Sequence, residues 1–196
     1  MKTACLLMAA GAGARFGGRK QFALIGKQTL IERALEPLKP LFRKDLYCVL
    51  GAHREALRPL VEPHARVIDH PGWAQGLGAS IGHGMRQLLA RSPYDAVLIA
   101  LADQVALERA DFQRLLEDFD NSRIVAARYA GKTGVPALFP AGNFGELAQL
   151  SGQEGARELL REKGREVIEV PMPRAEIDID TPEDLEGFIG LRTEMG

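Results

Sequence analysis

The chain has 196 residues, enough for one domain, residues 1–196, with a sizeable core, and its 25 Lys and Arg against 26 Asp and Glu leave a formal net charge of −1. That balance excludes a broad basic field for nucleic acid, so any anion site must be local. No run is apolar enough to cross a membrane and the opening Met1-Lys2-Thr3 is not that of a signal peptide, so a soluble, cytoplasmic protein is expected.

In chain order, short apolar runs predict strands at Ala4–Ala9, Leu46–Leu50, Val67–Ile68, Ala96–Ala102, Ile124–Ala127, Val135–Phe139, Val167–Val170 and Ile177–Ile179. Helical spacing lies between most of them: Leu30, Ala34, Leu38; Ile81, Met85, Leu88, Leu89; Phe112, Leu115, Leu116, Phe119; and Leu185, Phe188, Ile189. This alternation predicts an α/β fold with three layers, a doubly wound, mainly parallel sheet, and a small, partly antiparallel extension between Tyr129 and Glu166. The last helix is signalled by Thr181 as cap, Pro182 in the first position and Asp184 at capping-box distance. Cys5 and Cys48 lie inside strand-like runs and read as reduced core thiols.

In such sheets ligands sit beyond the carboxyl ends of the strands. The first strand runs into Gly11-Ala12-Gly13-Ala14-Arg15-Phe16-Gly17-Gly18-Arg19-Lys20-Gln21, a glycine loop with clustered cations. Its glycines permit positive φ and close approach of main-chain N–H groups to phosphate oxygens. The loop is not a dinucleotide fingerprint, whose third glycine falls on Phe16, nor a Walker loop, because no hydroxyl follows Lys20. A different cradle remains, in which amides, Arg15 and Lys20 wrap a nucleoside triphosphate.

A triphosphate calls for magnesium, which takes carboxylate and phosphate oxygens. Asp103 ends the fourth long strand, and Asp178 and Asp180 lie in Ile177-Asp178-Ile179-Asp180-Thr181. The latter two are read as facing opposite sides of an extended chain, one for the metal, with Asp178 favoured, and one for the backbone near Thr181. Gly78-Ala79-Ser80 opens a helix, where Ser80 either bonds base or ribose or caps the helix. Gly78-x-Ser80-x-Gly82 is no nucleophile elbow, since a polar loop precedes it and no histidine follows His83. The four histidines lack metal-ligand spacing and read as surface residues. Trp73 is suited to stacking on a flat ligand or to covering the sheet edge, and Arg157 to a second phosphate or to a helix start.

Taken together, Met8 to Gly18 with Lys20, Gly78-Ala79-Ser80, Leu101-Ala102-Asp103-Gln104, Gly134-Val135-Pro136, Gly152 to Arg157 and Asp178 to Leu185 resemble the nucleotidyltransferases of molybdenum-cofactor maturation, above all the molybdopterin cytidylyltransferases. The resemblance spans nearly the whole chain. It implies Mg2+-dependent transfer of CMP from CTP to the terminal phosphate of the pterin, with release of pyrophosphate and a molybdenum hydroxylase as receiver of the product. It also implies roles: Arg15, Lys20 and Asp103 in catalysis; Ala9, Ala10, Gly11, Ala12, Gly13, Arg15, Lys20, Gly78, Ser80 and Asp103 on the nucleotide; Asp103 with Asp178 or Asp180 on the metal. Val105 and Gln153 depart from the family's usual proline and aspartate. Guanylyl-transferring relatives usually read Ala-Gly-Gly where this chain has Ala9-Ala10-Gly11, so the Ala10 methyl points to a pyrimidine. The alternatives are GTP as donor, a sugar or alditol phosphate as acceptor, and a non-catalytic cofactor-binding protein.

Overall fold

A computed structural model describes residues 1–194. Among the described residues nine strands form, β1 Thr3–Ala9, β2 Leu24–Ile25, β3 Gln28–Thr29, β4 Leu46–Leu50, β5 Arg66–Asp69, β6 Ala96–Leu101, β7 Val125–Tyr129, β8 Lys132–Pro140 and β9 Ile168–Pro171. The helices are α1 Leu30–Leu35, α2 Lys39–Phe42, α3 Arg54–Val61, α4 Leu77–Leu89, α5 Arg109–Glu117, α6 Phe144–Gln149, α7 Ala156–Lys163 and α8 Pro182–Glu194. Seven strands make one sheet in the order β5-β4-β1-β6-β8-β7-β9, and β2 and β3 make a small antiparallel ribbon. β1 pairs in parallel with β4 and β6, whereas β8 runs antiparallel to both β6 and β7.

Alternation along β1 sorts its side chains between two layers. Cys5, Leu7 and Ala9 join a core with Ile31, Leu57 and Leu115 from α1, α3 and α5. Ala4, Leu6 and Met8 join the other with Met85, Leu147 and Leu160 from α4, α6 and α7. The three-layer α/β fold is therefore present, with both thiols free and buried in the first core. A third, smaller core of Ile25, Leu30, Val105, Ala106, Ile179 and Phe188 fastens α8 and the ribbon to the carboxyl end of the sheet.

Some expectations change. Leu30 to Leu38 does not form one helix: α1 ends at Leu35, Pro37 removes an amide donor just after it, and Pro40 falls in the first turn of α2, where its missing N–H is tolerated. Ile177–Ile179 joins no sheet; Ile179 instead donates its N–H to the Asp103 carbonyl at 3.2 Å and is buried. The antiparallel part lies largely within the main sheet as the β7–β8 hairpin, and α6 and α7 fill the rest of that segment. His70 is no surface residue: it is buried, neither ring nitrogen has a partner among the described residues, and it stacks on His83 at 4.6 Å. Its burial, then the nearby His83 and Arg86, lower its pKa.

Candidate active site

Strand order reverses between β1 and β6, where neighbouring loops leave in opposite directions and open a crevice. Two cavities flank the glycine loop there. One, of about 240 Å³, is lined by Ala9, Gly11, Gly13, Arg15, Lys20, Gln21, Asp103 and Asp180, among others. The other, of about 340 Å³, is lined by Ala10, Gly11, Trp73, Gly76, Ser80, Leu101, Asp103 and Gln153, among others. Gly11 and Asp103 belong to both.

The loop turns at Gly13, Gly17 and Gly18, all at positive φ, and carbonyls of Gly13 and Ala14 take the amides of Phe16, Gly17 and Gly18. Gly11 does not need positive φ, contrary to expectation, but a Cβ there would meet no chain atom. None of the five successive amides from Gly11 to Arg15 donates to another described residue. Such a run of N–H groups makes an anion-binding concavity. Buried Gln21 holds the loop from beneath, donating to the Gly11 carbonyl at 2.9 Å, and the Ala12 carbonyl lies 3.3 Å from His53 Nε2.

Lys20 joins the loop to the acidic side. Its ammonium donates to Asp103 Oδ2 at 3.0 Å and Asp180 Oδ1 at 2.9 Å, and Arg15 meets Asp180 Oδ2 at 2.9 Å. Burial alone would lower the Lys20 pKa, but the Asp103 and Asp180 carboxylates outweigh it and the pKa rises. Asp103 Oδ1 is buried without a partner. Asp178 is crowded rather than sealed: partial burial, then the charges of Asp103 and Asp180, push its carboxyl up to about 7.

The expectation that Asp178 and Asp180 face opposite sides is therefore corrected. Residues two apart in an extended chain point the same way, and it is Ile179 between them that turns into the core. Neither serves the backbone at Thr181; Asp184 does, accepting from the amides of Asp180 and Thr181 at 3.0 and 2.7 Å. Thr181 Oγ1 in turn accepts from the Asp184 amide at 3.2 Å, completing the expected capping box.

On the second cavity, Ser80 donates to the Gly76 carbonyl at 3.0 Å and is not a helix cap. Gly78 lies outside the lining: a Cβ there would sit 1.9 Å from the Glu154 carbonyl and 2.6 Å from that of Ser151. Its smallness lets α4 approach the 151–154 backbone and so brings Gln153 to the cavity wall. Trp73 both packs against the core and lines the cavity. Gln104 is buried and donates to the carbonyls of Val135 and Ala175 at 3.0 and 2.9 Å, fixing the β8 end and the segment leading to Asp178.

Sequence reasoning did not single out His53 or Tyr129. The rule that placed Asp103, position just after a strand, also reaches His53, which closely follows β4. Tyr129 ends β7, and only the hairpin pairing brings its hydroxyl to the Val135 carbonyl at 3.2 Å.

Magnesium fits the chemistry of this acidic corner, which offers hard oxygen donors, an unpartnered Asp103 oxygen and a carboxylate excess at Asp178. Among the described residues no three or more His, Cys, Asp or Glu are placed to hold a metal by themselves. That suits an ion that completes its shell with phosphate oxygens and water.

The family model for the MobA-like NTP transferase domain matches residues 5–167. The chain belongs to that family. It is a nucleotidyltransferase, and membership implies a mechanism that depends on a divalent metal. The Rv0371c protein of Mycobacterium tuberculosis H37Rv is 26% identical with a TM-score of 0.82, covering 97% of this chain and 98% of that one. Its manganese complex gives a TM-score of 0.79 at 25% identity, with the same shares covered. A molybdopterin-guanine dinucleotide biosynthesis protein A from Archaeoglobus fulgidus shares the fold at 17% identity and a TM-score of 0.69, covering 97% and 98%. No match was found among curated protein sequences.

No described helix is long and apolar enough to cross a membrane.

Proposed function

We propose that the chain moves a nucleotidyl group from a nucleoside triphosphate to the phosphate of a small phosphorylated acceptor. The observation that carries this reading is the run of unspent amides from Gly11 to Arg15 facing a lysine held between Asp103 and Asp180. The amides, Arg15 and Lys20 hold the triphosphate, while the second cavity, with Ala10, Trp73, Ser80 and Gln153, takes the nucleoside. Asp103 with Asp178 or Asp180 would hold magnesium, which when bound neutralises phosphate charge and polarises the α-phosphoryl group.

An acceptor phosphate oxygen attacks the α-phosphorus in line, the bond to the bridging oxygen breaks, and pyrophosphate leaves. A phosphate monoester is largely ionised at neutral pH, so the step needs no general base. The work of the chain is positioning and electrostatic stabilisation. Lys20 and Arg15, bound by Asp180 in the ligand-free protein, exchange that carboxylate for phosphate oxygens. Gln21 and His53 keep the amide run in shape through the Gly11 and Ala12 carbonyls.

The motif resemblance and the Ala10 methyl at the cavity wall support CTP and a pterin phosphate. The kinship with a guanine-dinucleotide protein supports GTP, and the nucleotide half of the site would serve a sugar phosphate equally. Pyrophosphate release is measured with CTP or GTP, magnesium and each acceptor in turn. Release with CTP and molybdopterin is the expected result; release only with GTP, or only with a sugar or alditol phosphate, would replace that choice. Absence of triphosphate binding would overturn the whole reading.

A further inference from the structure

A cleft of about 280 Å³ opens between the β7–β8 hairpin and α7, lined by Arg128, Lys132, Thr133, Arg157, Glu158 and Arg161, among others. Arg128 is engaged, meeting Glu169 at 3.1 Å. Lys132, Arg157 and Arg161 form no ion pair with any described residue. With Arg128 paired to Glu169, three unpaired cations against the one lining carboxylate, Glu158, leave a net positive field on a chain whose formal net charge is −1. Low-dielectric cleft walls focus such a field on small anions.

The topology puts this cleft beside the catalytic corner. β8 is antiparallel to β6, with Ala137 opposite Ile99, so the hairpin turn emerges at the sheet edge that carries Asp103. Gln104, next to Asp103, and Tyr129, next to Arg128, both donate to the Val135 carbonyl. The Tyr129 phenol feels Asp178 and Asp103 as well as Arg157. Tyr129 thus lies within electrostatic reach of both the acidic corner and Arg157 of the basic cleft.

An acceptor phosphate that attacks the α-phosphorus must lie at Lys20 and Asp103, so it cannot also occupy the cleft. We infer that the cleft is a second anion subsite, filled by a negatively charged group that the acceptor carries at a distance from its attacking phosphate. This rests on the transfer reading above and narrows it: the acceptor is a phosphomonoester with a second anionic group, since an acceptor neutral beyond its phosphate leaves three cations unmatched.

The test uses the full chain with its triphosphate site saturated by magnesium and CTP, into which inorganic phosphate is titrated while the Lys and Arg side-chain resonances are followed by NMR. Phosphate should shift Lys132, Arg157 and Arg161 saturably. In the K132Q/R161Q double variant its affinity should fall at least about fivefold, in line with the loss of two exposed charge contacts, while CTP affinity stays unchanged. No shifts at these residues, or an unchanged affinity in the variant, would overturn the subsite. Tighter binding there of a polyglutamate peptide than of phosphate would instead assign the cleft to an acidic protein. Failure of the wild-type chain to bind CTP or GTP with magnesium would count against the transfer reading, and is seen before phosphate is added.

Discussion

Replacing Lys20 by methionine separates the structural and the catalytic work of one side chain. Its ammonium bridges Asp103 and Asp180 at 3.0 and 2.9 Å and is only 13% exposed. Removing one partner of a fully buried ion pair costs roughly 3–5 kcal/mol. The two carboxylates here are 26% and 32% exposed, so solvent screens much of that loss, and about 1–3 kcal/mol remains. At roughly 2–4 °C per kcal/mol for a domain of this size, the melting temperature should fall by about 3–10 °C. The catalytic loss is larger, because a donor aimed at transition-state charge contributes roughly 10²–10³ in kcat. The Lys20 pKa is raised in the fold, so its stabilisation is complete below the unfolded value of about 10.4 and lost only as pH climbs through the higher folded one. The stability gap between wild type and K20M should therefore be constant near neutrality and close in strong alkali, where Lys20 loses its proton. K20M also releases two carboxylates from their cation, so magnesium should bind the ligand-free variant more tightly. Thermal melts, a magnesium titration and steady-state pyrophosphate release read the three effects apart. A kcat within about twofold of wild type, with the melt lowered as calculated, would make Lys20 a structural lysine and refute the reasoning.

Asp103→Asn keeps the shape but removes a charge beside Lys20, and should cost at least about 10² in turnover; near-normal pyrophosphate release would remove Asp103 from the metal site. Gly78→Ala places a methyl against two backbone carbonyls and should destabilise by about 2–4 kcal/mol in urea melts. Gly11→Ala meets no chain atom, so stability should hold within about 0.5 kcal/mol while triphosphate affinity falls, which calorimetry distinguishes. In metal-free protein, Asp178 binds its proton up to about 7 against an ordinary 3.8. Its contribution to stability is then greatest in acid and declines as pH rises between those values; urea melts across that range with and without Asp178→Asn should differ in slope, and parallel curves would show that the carboxyl is not raised. Ala10→Gly should gain use of GTP, and a variant that gains none would move base selection to the Trp73 to Ser80 wall.

The layers, the turning of the glycine loop and the position of Asp103 were legible in the chain because each depends on local pattern. Continuous apolar runs mark strands buried on both faces, and a residue directly after such a run is carried to the ligand edge. The capping box of Thr181 and Asp184 was legible for the same reason: it closes within one helical turn. What failed depended on contacts distant in sequence or on a misread period. Ile177–Ile179 has the composition of a strand, yet burial in the third core and a bond to the Asp103 carbonyl keep it out of the sheet. Side-chain alternation puts Asp178 and Asp180 on one side, so the acidic corner is more crowded than the reading allowed. Gly78 and Ser80 look alike in the motif; the fold packs Gly78 against the 151–154 backbone and keeps Ser80 on the cavity wall, its hydroxyl donating to the Gly76 carbonyl. By itself the sequence determined an α/β sheet with a glycine-rich, cationic loop at its first strand end, since backbone propensity and apolar periodicity are written residue by residue. Only the tertiary structure decided that one lysine bridges residues 83 and 160 positions away, and that four cations gather between the β7–β8 hairpin and α7, because long-range electrostatic neighbours are chosen by packing and leave no local pattern.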